Sequence, residues 1–457
     1  MTELHELGAS DLVSRIRSRE VSRREVVEAH ARRIEAVNAA VNAFVVLRLE
    51  AALAEADEAD ARHDERAGLP LDGVPLSIKE TFDIEGMETT LGLPARKGLV
   101  AERDEAAVAR LRAAGGIVLG KANAPDLAIR WNTISSLFGA TLNPRDPTRS
   151  AGGSTGGDAA AIAAGMTPLG LGADYGGSVR VPATFCEIVG LRPTTGVTPR
   201  APVVPPQDGD PSMDLMQSVG PLARSVDDLE LALDVLRGPT AGDPAAIPAE
   251  LSAPPARPGR VAVLIGETGA IVDPELERAV RETADVLRDA GHEVVEGAVP
   301  DLRRAPELWA EIIATELLGS YIPHVRADVG ESAIDHIDKM FGLFDLGDQV
   351  TSYLAALRER RALARMVYAW QEEFPLAVAP VAGMPTPPLD FDHMLSIEAT
   401  RELFDRMRCV TWVNCLGLPG VALGNGVQIV GRRFSDREVL AAARTARTAL
   451  GPVPVAF

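Results

Sequence analysis

Two serines that lie among glycines, together with one lysine, are the residues of this chain whose types and spacing could carry out covalent chemistry. Ser154 lies in Gly-Gly-Ser-Thr-Gly-Gly, and Ser178 follows 24 residues later in Asp-Tyr-Gly-Gly-Ser. Lys79 ends an apolar run upstream, Val-Pro-Leu-Ser-Ile. A serine hydroxyl is a weak nucleophile until a base removes its proton. If the three side chains meet, a lysine and one serine can activate the other serine for acyl transfer without a histidine.

Lys79 can act as that base only when its amine is neutral, which requires burial or a nearby positive charge. Its place after an apolar strand is compatible with burial, although a strand-end lysine is more often solvated. The glycines around Ser154 and Ser178 would let the backbone approach a substrate closely and leave N–H groups free to face an oxyanion. A tight turn before a helix would need the same glycines, so one Gly-Gly-Ser by itself indicates little.

The surrounding sequence predicts strands and helices in alternation, which is typical of an α/β fold. Buried strands are predicted at 74–78, 117–119, 169–173, 261–265, 376–378 and 427–430. Helices are predicted at 48–65, 104–115 and 159–165, after Asp273 as far as Gly291, and within 305–373. Capping boxes at 22–25 and 435–438 predict two further helix starts. The uncharged stretch 409–431 contains five glycines and is predicted to be buried strand and turn.

Composition and charge narrow the class of protein. Of 457 residues, 46% are hydrophobic and 24% are charged, as in ordinary globular proteins. The net charge of −19 argues against nucleic acid or an anionic membrane as the main partner. The three cysteines, Cys186, Cys409 and Cys415, lack metal-ligand spacing and favour a reducing setting. Because the N-terminus lacks the basic and apolar regions of a signal peptide, we expect a cytoplasmic protein.

Other chemistries are less compatible with the sequence. The seven histidines are scattered without an H-E-x-x-H motif, so no metal or other cofactor is expected. A Gly-x-Ser-x-Gly elbow at Ser154 is a competing interpretation, with His393 and Asp390 or Asp392 as its partners. That elbow needs a strand immediately before the serine, whereas Asn-Pro-Arg-Asp-Pro-Thr-Arg precedes it and is typical of turns. Replacing Lys79 and, separately, His393 would distinguish the two schemes.

The segments around both serines resemble the amidase signature family. They are Gly-Gly-Ser-Thr-Gly-Gly-Asp-Ala-Ala-Ala, Gly-Ala-Asp-Tyr-Gly-Gly-Ser-Val-Arg-Val-Pro and Phe-Cys-Glu-Ile-Val-Gly-Leu-Arg-Pro-Thr. Residues 72–80, Asp-Gly-Val-Pro-Leu-Ser-Ile-Lys-Glu, are similar to the lysine motif of that family. The resemblance covers almost the whole chain. It implies an α/β amidase-signature fold, in which helices flank both faces of a central mixed β-sheet.

Transferred position by position, the resemblance implies a catalytic role for each of the three residues. Ser178 would be the nucleophile, Ser154 the bridging serine after a cis peptide bond, and Lys79 the general base and acid. The oxyanion hole would consist of the backbone N–H groups of Tyr175, Gly176, Gly177 and Ser178. Asp174 and Arg180 flank the nucleophile and are expected to pair with each other and brace its loop.

The resemblance also implies where the substrate would lie. The acyl-binding wall is expected at Ala128, Ile129 and Trp131, with Thr155 also near the substrate. Arg130 and Asn132 differ from the family pattern, which is compatible with a polar substrate contact or with a solvated loop. Tyr175 stands where a smaller residue is more common, so its ring is expected to crowd the pocket.

The activity implied by the resemblance is hydrolysis of a carboxylic acid amide through an acyl-enzyme. The expected partner is a small-molecule amide. Neither nucleic acid nor a membrane is expected as a partner, and the sequence is compatible with a homodimer. Two alternatives stay open, because the same catalytic residues would serve them: a glutaminase-type subunit of a tRNA-dependent amidotransferase, and an amide-forming acyltransferase.

One domain over 1–457 is expected. It would comprise a helical N-terminal segment at 1–65, a catalytic core at 66–237 and 259–457, and a surface loop at 238–258.

Overall fold

A large mixed β-sheet forms the centre of the fold in the computed structural model, which describes residues 3–66, 68–255, 257–297 and 299–457. The strands are β1 Phe44–Leu47, β2 Pro75–Lys79, β3 Ile117–Ala122, β4 Ile134–Ser135, β5 Gly139–Ala140, β6 Leu169–Asp174, β7 Val189–Arg192, β8 Ser218–Ala223, β9 Arg260–Val263, β10 Glu293–Glu296, β11 Leu376–Pro380, β12 Gly420–Ala422 and β13 Val427–Gly431.

Within the described residues, eleven of these strands form the sheet, in the order β1-β3-β2-β6-β8-β7-β12-β13-β11-β9-β10, and β4 pairs with β5 separately. Neighbours are parallel from β3 through β2 to β6 and from β11 through β9 to β10. The other pairs are antiparallel. The sheet is therefore mixed, as the family resemblance implies.

Helices cover both faces of this sheet. They are α1 Ala9–Arg17, α2 Arg23–Val41, α3 Leu49–Ala61, α4 Ala106–Ala113, α5 Gly156–Ala163, α6 Arg180–Phe185, α7 Pro211–Met216, α8 Val226–Leu236, α9 Pro274–Asp289, α10 Arg304–Glu316, α11 Ile322–Val325, α12 Glu331–Phe341, α13 Gln349–Gln371, α14 Ile397–Leu416 and α15 Asp436–Leu450. A π-helical turn, Leu317–Tyr321, continues α10. No helix of the described residues is both long and apolar enough to cross a membrane.

The two faces of the sheet follow from the alternation of side chains along each strand. On β2, Leu76 and Ile78 belong to an apolar core shared with α4, α8, α9 and α15. The intervening Ser77 and Lys79 therefore point to the opposite face, where α5 packs against β2. The strand thus buries its apolar side chains on one face and presents its polar ones to the helix that follows Ser154.

Small residues allow α5 to lie close to the sheet. Every residue of α5 is buried. On β6, a Cβ atom at Gly172 would lie 2.4 Å from Thr155 Cγ2, so this position has no room for a side chain. The small-residue composition of 151–178 therefore serves close packing, which positions Ser154 against β2.

The structure differs from the sequence-based expectations at the end of α14 and at the start of α15. Residues 409–416, predicted as strand and turn, form the last turns of α14, and only 420–422 and 427–431 are strands. The capping box at 22–25 is confirmed, whereas Ser435 does not cap α15 and its hydroxyl donates to Arg432 O instead. The end of α14 is buried on all sides, so its sequence lacks the polar–apolar period of a surface helix.

The segment 1–65 contributes β1 to the sheet in addition to its helices. Residues 238–255, 257 and 258 contain no helix or strand, and the expected loop 238–258 also includes Ala256, which lies outside the described residues. The organisation as one domain stays a prediction.

Candidate active site

The structure brings Lys79 and Ser154 into direct contact. Lys79 is the last residue of β2, Ser154 precedes α5 by two residues, and Lys79 Nζ lies 2.7 Å from Ser154 Oγ. Both side chains are buried, with 1% of each residue exposed. The peptide bond between Gly153 and Ser154 is cis. A buried amine at hydrogen-bond distance from a hydroxyl has the geometry needed to take up its proton.

The electrostatic surroundings of Lys79 favour its neutral amine. Burial lowers the pKa of Lys79 from 10.5 to about 7. The nearby Arg200 guanidinium contributes to this lowering, whereas Asp158, Asp174 and Glu80 oppose it. Near neutral pH a large fraction of the lysine is therefore available as a base.

Asp158 is the carboxyl group with the largest opposing effect on Lys79. It lies on α5, and Ser77 Oγ donates a hydrogen bond of 2.7 Å to its Oδ1. Ser77 and Lys79 are on the same face of β2, so Asp158 and the amine lie on the same side of the sheet. Burial raises the pKa of Asp158 from 3.8 to about 7, although Ser77 and Lys79 favour the carboxylate.

The Asp174 carboxylate holds the loop that carries Ser178 through hydrogen bonds. This buried group accepts hydrogen bonds from the N–H groups of Gly177, Val179 and Arg180, at 2.8, 3.2 and 3.3 Å. The Arg180 guanidinium donates two more, each 3.0 Å long. Asp174 and Arg180 thus pair as the sequence predicts, and their pairing holds the pKa of Asp174 well below its usual range despite burial.

Three N–H groups of this loop are free to receive a substrate oxygen. Among the described residues, those of Tyr175, Gly176 and Ser178 have no hydrogen-bond acceptor. The fourth expected donor differs, because the Gly177 N–H is bonded to Asp174 Oδ1. Thr155 N–H donates to Ser178 O at 3.2 Å and joins the two serine segments.

Lys79, Ser154 and Ser178 all line one cavity of about 450 Å³. The expected wall residues Ala128, Ile129 and Trp131 also line it. Further apolar side chains reach it from α10, the π-helical turn and α12, within the segment 305–373: Trp309, Ile313, Leu317, Met340 and Phe341. Trp131 and Trp309 stack with their ring centroids 6.1 Å apart. The cavity therefore has an aromatic and aliphatic wall beside the serines.

Thr155 does not contribute to the lining of this cavity. Its side chain is buried against Gly172 of β6, and its Oγ1 has no partner among the described residues. Arg130 and Asn132 are buried as well, and both donate to Asp392. They hold the segment around Asp392, so a solvated loop does not describe them, and Arg130 also lines the cavity.

The Tyr175 ring lines the cavity. The Tyr175 hydroxyl is hydrogen-bonded to Ser212 Oγ, and the Ser212 hydroxyl is in turn hydrogen-bonded to Glu316. Tyr353 also donates to Glu316, at 2.6 Å. This chain of hydrogen bonds connects the loop before Ser178 to α7, α10 and α13.

The competing elbow scheme has no geometric support. His393 is exposed and its Nδ1 lies 2.9 Å from Ser332 Oγ, while Ser154 contacts Lys79. Asp392, the partner expected in that scheme, is paired with Arg130. No group of three or more metal-ligating side chains occurs in the part of the chain that the structure describes.

Cys186 lies near the site in sequence and is buried. Its Sγ donates to Ala151 O at 3.4 Å, and burial raises the pKa of its thiol well above the usual range. Cys409 and Cys415 are also buried, each with a pKa raised to about 12.

Sequence reasoning missed several residues at the cavity. Arg200 lies between β7 and β8 and Trp309 on α10, and neither belongs to the serine or lysine motif. Ser218 also lines the cavity, and its buried hydroxyl has no partner among the described residues. No local pattern marks these positions, since only the fold brings them to the serines.

The comparison with protein families decides the classification. The amidase family model matches residues 25–440. The chain belongs to the amidase family. This agrees with the resemblance carried by its serine and lysine motifs.

Curated relatives resemble this amidase over nearly its whole length. An indoleacetamide hydrolase from Bradyrhizobium diazoefficiens is 36% identical over 453 residues, which cover 95% of this chain and 85% of the relative. A subunit of the glutamyl-tRNA(Gln) amidotransferase from Roseiflexus sp. is 32% identical over 480 residues, covering 96% of each chain.

Solved structures show the same architecture. A 6-aminohexanoate cyclic dimer hydrolase in complex with substrate is 28% identical, with a TM-score of 0.84 over 99% of this chain and 98% of that one. A bacterial aryl acylamidase of the amidase signature family is 25% identical, also with a TM-score of 0.84, over 98% and 97%. The amidase-signature fold expected from the sequence is therefore confirmed.

Proposed function

We propose that this amidase cleaves the carbon–nitrogen bond of a carboxylic acid amide through a covalent ester on Ser178. The observation that carries the proposal is the buried contact of 2.7 Å between Lys79 Nζ and Ser154 Oγ, in the same cavity as Ser178. Membership of the amidase family and similarity to amide hydrolases support the reaction class. The roles of the individual residues are our inference from the geometry.

In the first step the neutral Lys79 amine takes the Ser154 proton, and Ser154 takes the proton of Ser178. The Ser178 oxygen bonds to the amide carbon, and the carbonyl oxygen becomes an oxyanion. When the carbon–nitrogen bond breaks, its electron pair stays on nitrogen, which receives a proton from Ser154. Lys79 then returns its proton to Ser154, so the relay is restored and the acyl group remains on Ser178.

In the second step water attacks the ester carbon and gives a proton through Ser154 to Lys79. The bond between the acyl carbon and Ser178 breaks, and the same proton returns to the Ser178 oxygen. Amide and water are thereby converted to acid and amine or ammonia. Since Lys79 must be neutral at the start of each step, the relay works best above the pKa of Lys79.

The oxyanion is stabilised by the free N–H groups of Tyr175, Gly176 and Ser178. Fixed backbone donors are each worth roughly 3–4 kcal/mol of transition-state stabilisation in related acyl-transfer sites. The Asp174 carboxylate holds the loop through the remaining N–H groups, so little reorganisation is needed when the negative charge forms.

The wall of the cavity favours an apolar acyl group. Trp131 and Trp309 stack beside the serines, with Ile313 and Phe341 next to them. An aromatic or bulky aliphatic acyl chain would remove these surfaces from water at about 25 cal/mol per Å². The similarity to an indoleacetamide hydrolase supports testing aryl- and indolylacetamides first.

The test combines a substrate panel with trapping of the acyl-enzyme. Purified protein is offered indole-3-acetamide, phenylacetamide, short aliphatic amides and glutamine, and released ammonia is measured. A slow aryl ester or amide is then used to trap the covalent species, which peptide mass spectrometry assigns to a residue. We expect an adduct on Ser178 that is absent in Ser178→Ala. Undiminished turnover by Ser178→Ala would refute the proposal.

The amidotransferase alternative is favoured by one observation, the 32% identity to the Roseiflexus amidotransferase protein over 96% of both chains. It predicts that glutamine is the preferred amide and that the released ammonia passes to partner proteins. Efficient hydrolysis of aryl amides by the isolated chain, with poor glutamine turnover, would exclude it. A cytoplasmic location, a homodimer and the absence of a nucleic-acid partner stay predictions from the sequence.

A further inference from the structure

Two tryptophans donate their indole N–H groups to the loop before Ser178. Trp309 Nε1 donates to Tyr175 O, and Trp131 Nε1 donates to Gly176 O, each at 2.7 Å. The rings stack on each other and are almost fully buried. Both therefore belong to the wall of the cavity and hold two successive peptide groups of the loop.

The peptide held by Trp309 has a free donor at its other end. In a planar trans peptide, C=O and N–H point in opposite directions, so fixing the Tyr175 carbonyl also fixes the Gly176 N–H. That N–H has no acceptor among the described residues, and Gly176 lines the cavity. Trp309 thus determines the direction of one of the free donors beside Ser178.

The peptide held by Trp131 differs in this respect. Its carbonyl belongs to Gly176, and its N–H is that of Gly177, which donates to Asp174 Oδ1 at 2.8 Å. This peptide is therefore bonded at both ends. Its orientation is set by Asp174 even without Trp131, and its N–H is not available to a substrate.

The position of the Trp309 ring also explains why residue 176 is glycine. A Cβ atom there would lie 2.5 Å from Trp309 Cζ2. The ring covers the α-carbon so closely that no side chain fits, and this close approach allows Nε1 to reach the Tyr175 carbonyl. The two residues form one structural unit although they are far apart in the sequence.

We propose that Trp309 is a positioning residue of the oxyanion hole, which orients the Gly176 N–H towards the substrate oxygen. The inference rests on the proposed function, in which Ser178 attacks an amide carbonyl. A backbone donor helps only where the oxyanion forms, so its orientation affects the transition state more than the bound substrate. Loss of the indole N–H therefore lowers kcat while KM changes little.

The test compares Trp309→Phe with Trp131→Phe, which remove the same group from neighbouring rings. Both variants keep an aromatic wall. We expect Trp309→Phe to lower kcat by about 10-fold or more, with KM within about 3-fold of wild type. Trp131→Phe alters the acyl-binding wall and should therefore act mainly on KM, with a loss of kcat that is several-fold smaller than that of Trp309→Phe. A trifluoromethyl ketone, whose hemiketal with Ser178 carries the oxyanion, should lose affinity for Trp309→Phe in proportion to kcat.

Equal losses of kcat in both variants, or a raised KM at unchanged kcat for Trp309→Phe, would overturn the inference, since either result describes a wall residue only. If Trp309→Phe does not fold, a benzothiophene in place of the Trp309 indole keeps the shape and removes the N–H. Failure of the proposed function is recognised separately, because it would leave Ser178→Ala active whatever the Trp309 variant does.

Discussion

Ser154 and Ser178 lie on two segments that are held in place in different ways. Ser154 is positioned by the packing of α5 against β2. Its hydrogen-bond partner, Lys79, is the last residue of β2. The loop of Ser178 is held by side chains, above all by the Asp174 carboxylate and by Trp309. The proposed relay therefore depends on close backbone packing, whereas the loop of the proposed nucleophile depends on polar groups from distant parts of the chain.

The largest effect is expected on the relay side, from Lys79→Met. Removal of the base should lower kcat/KM by about 10⁴-fold or more. Because burying an ammonium group is costly, the free energy of unfolding should stay the same or rise. Steady-state kinetics and urea unfolding measure the two quantities.

Lys121 provides the matched control for this variant. It is also a buried lysine on a neighbouring strand, but its Nζ donates to Glu80 O, Glu88 O and Thr89 Oγ1. Lys121→Met should therefore lower stability, by about 1–3 kcal/mol, with a much smaller loss of activity. An inactive but fully stable Lys121→Met would contradict this division of roles.

On the loop side, Asp174→Asn is expected to act mainly on stability. The neutral amide leaves the buried Arg180 without its counter-charge and accepts fewer of the backbone N–H groups. Breaking such a buried pair costs about 3–5 kcal/mol. Urea unfolding monitored by fluorescence would test this, with Ser154→Ala as a comparison that should lose activity and less than about 1 kcal/mol of stability.

Gly176→Ala is expected to show how closely the loop and α10 are coupled. The added methyl group overlaps the Trp309 ring, so the ring or the peptide must move. Displacing the Gly176 N–H should lower kcat by about 10²-fold. Gly266→Ala is the control, since a Cβ atom there meets nothing within 4 Å. A fully active Gly176→Ala would show that the loop tolerates displacement.

The smallest effect is a pair of opposite shifts in the pH dependence of kcat/KM. Wild-type activity should rise with pH and level off above about 7, since only the neutral Lys79 amine is a base. Arg200 lowers the pKa of Lys79 and Asp158 raises it. Arg200→Gln should therefore move the midpoint to higher pH, and Asp158→Asn should move it to lower pH. Midpoint shifts in the same direction would show that the two substitutions alter the structure of the site rather than the electrostatic effect on the pKa of Lys79.

Much of the sheet could be predicted from local patterns, and the family resemblance implied the proposed relay. Apolar runs gave the strands around Lys79 and Ser178, and the capping box at Ser22 gave the start of α2. The helical end of α14 was missed, since a helix buried on all sides has no polar face to reveal its period. The family resemblance implies a place near the substrate for Thr155, whereas its side chain faces Gly172.

The support of the nucleophile loop could not be predicted from one sequence. Trp309 and Asn414 both donate to its carbonyls, at Tyr175 and Asp174, but each lies more than a hundred residues from the serines. Neither residue belongs to the serine or lysine motif. Only the fold brings α10 and α14 to the end of β6, where these two side chains can hold the loop.

The burial of the three cysteines has a practical consequence for labelling this enzyme. Cys186, Cys409 and Cys415 comprise all the thiols of the chain, and each is buried with a raised pKa. Thiolates, rather than thiols, react with electrophiles. A fluorophosphonate or similar activity probe applied to the native protein should therefore report on its serines, without prior blocking of cysteine and in the presence of any convenient reductant.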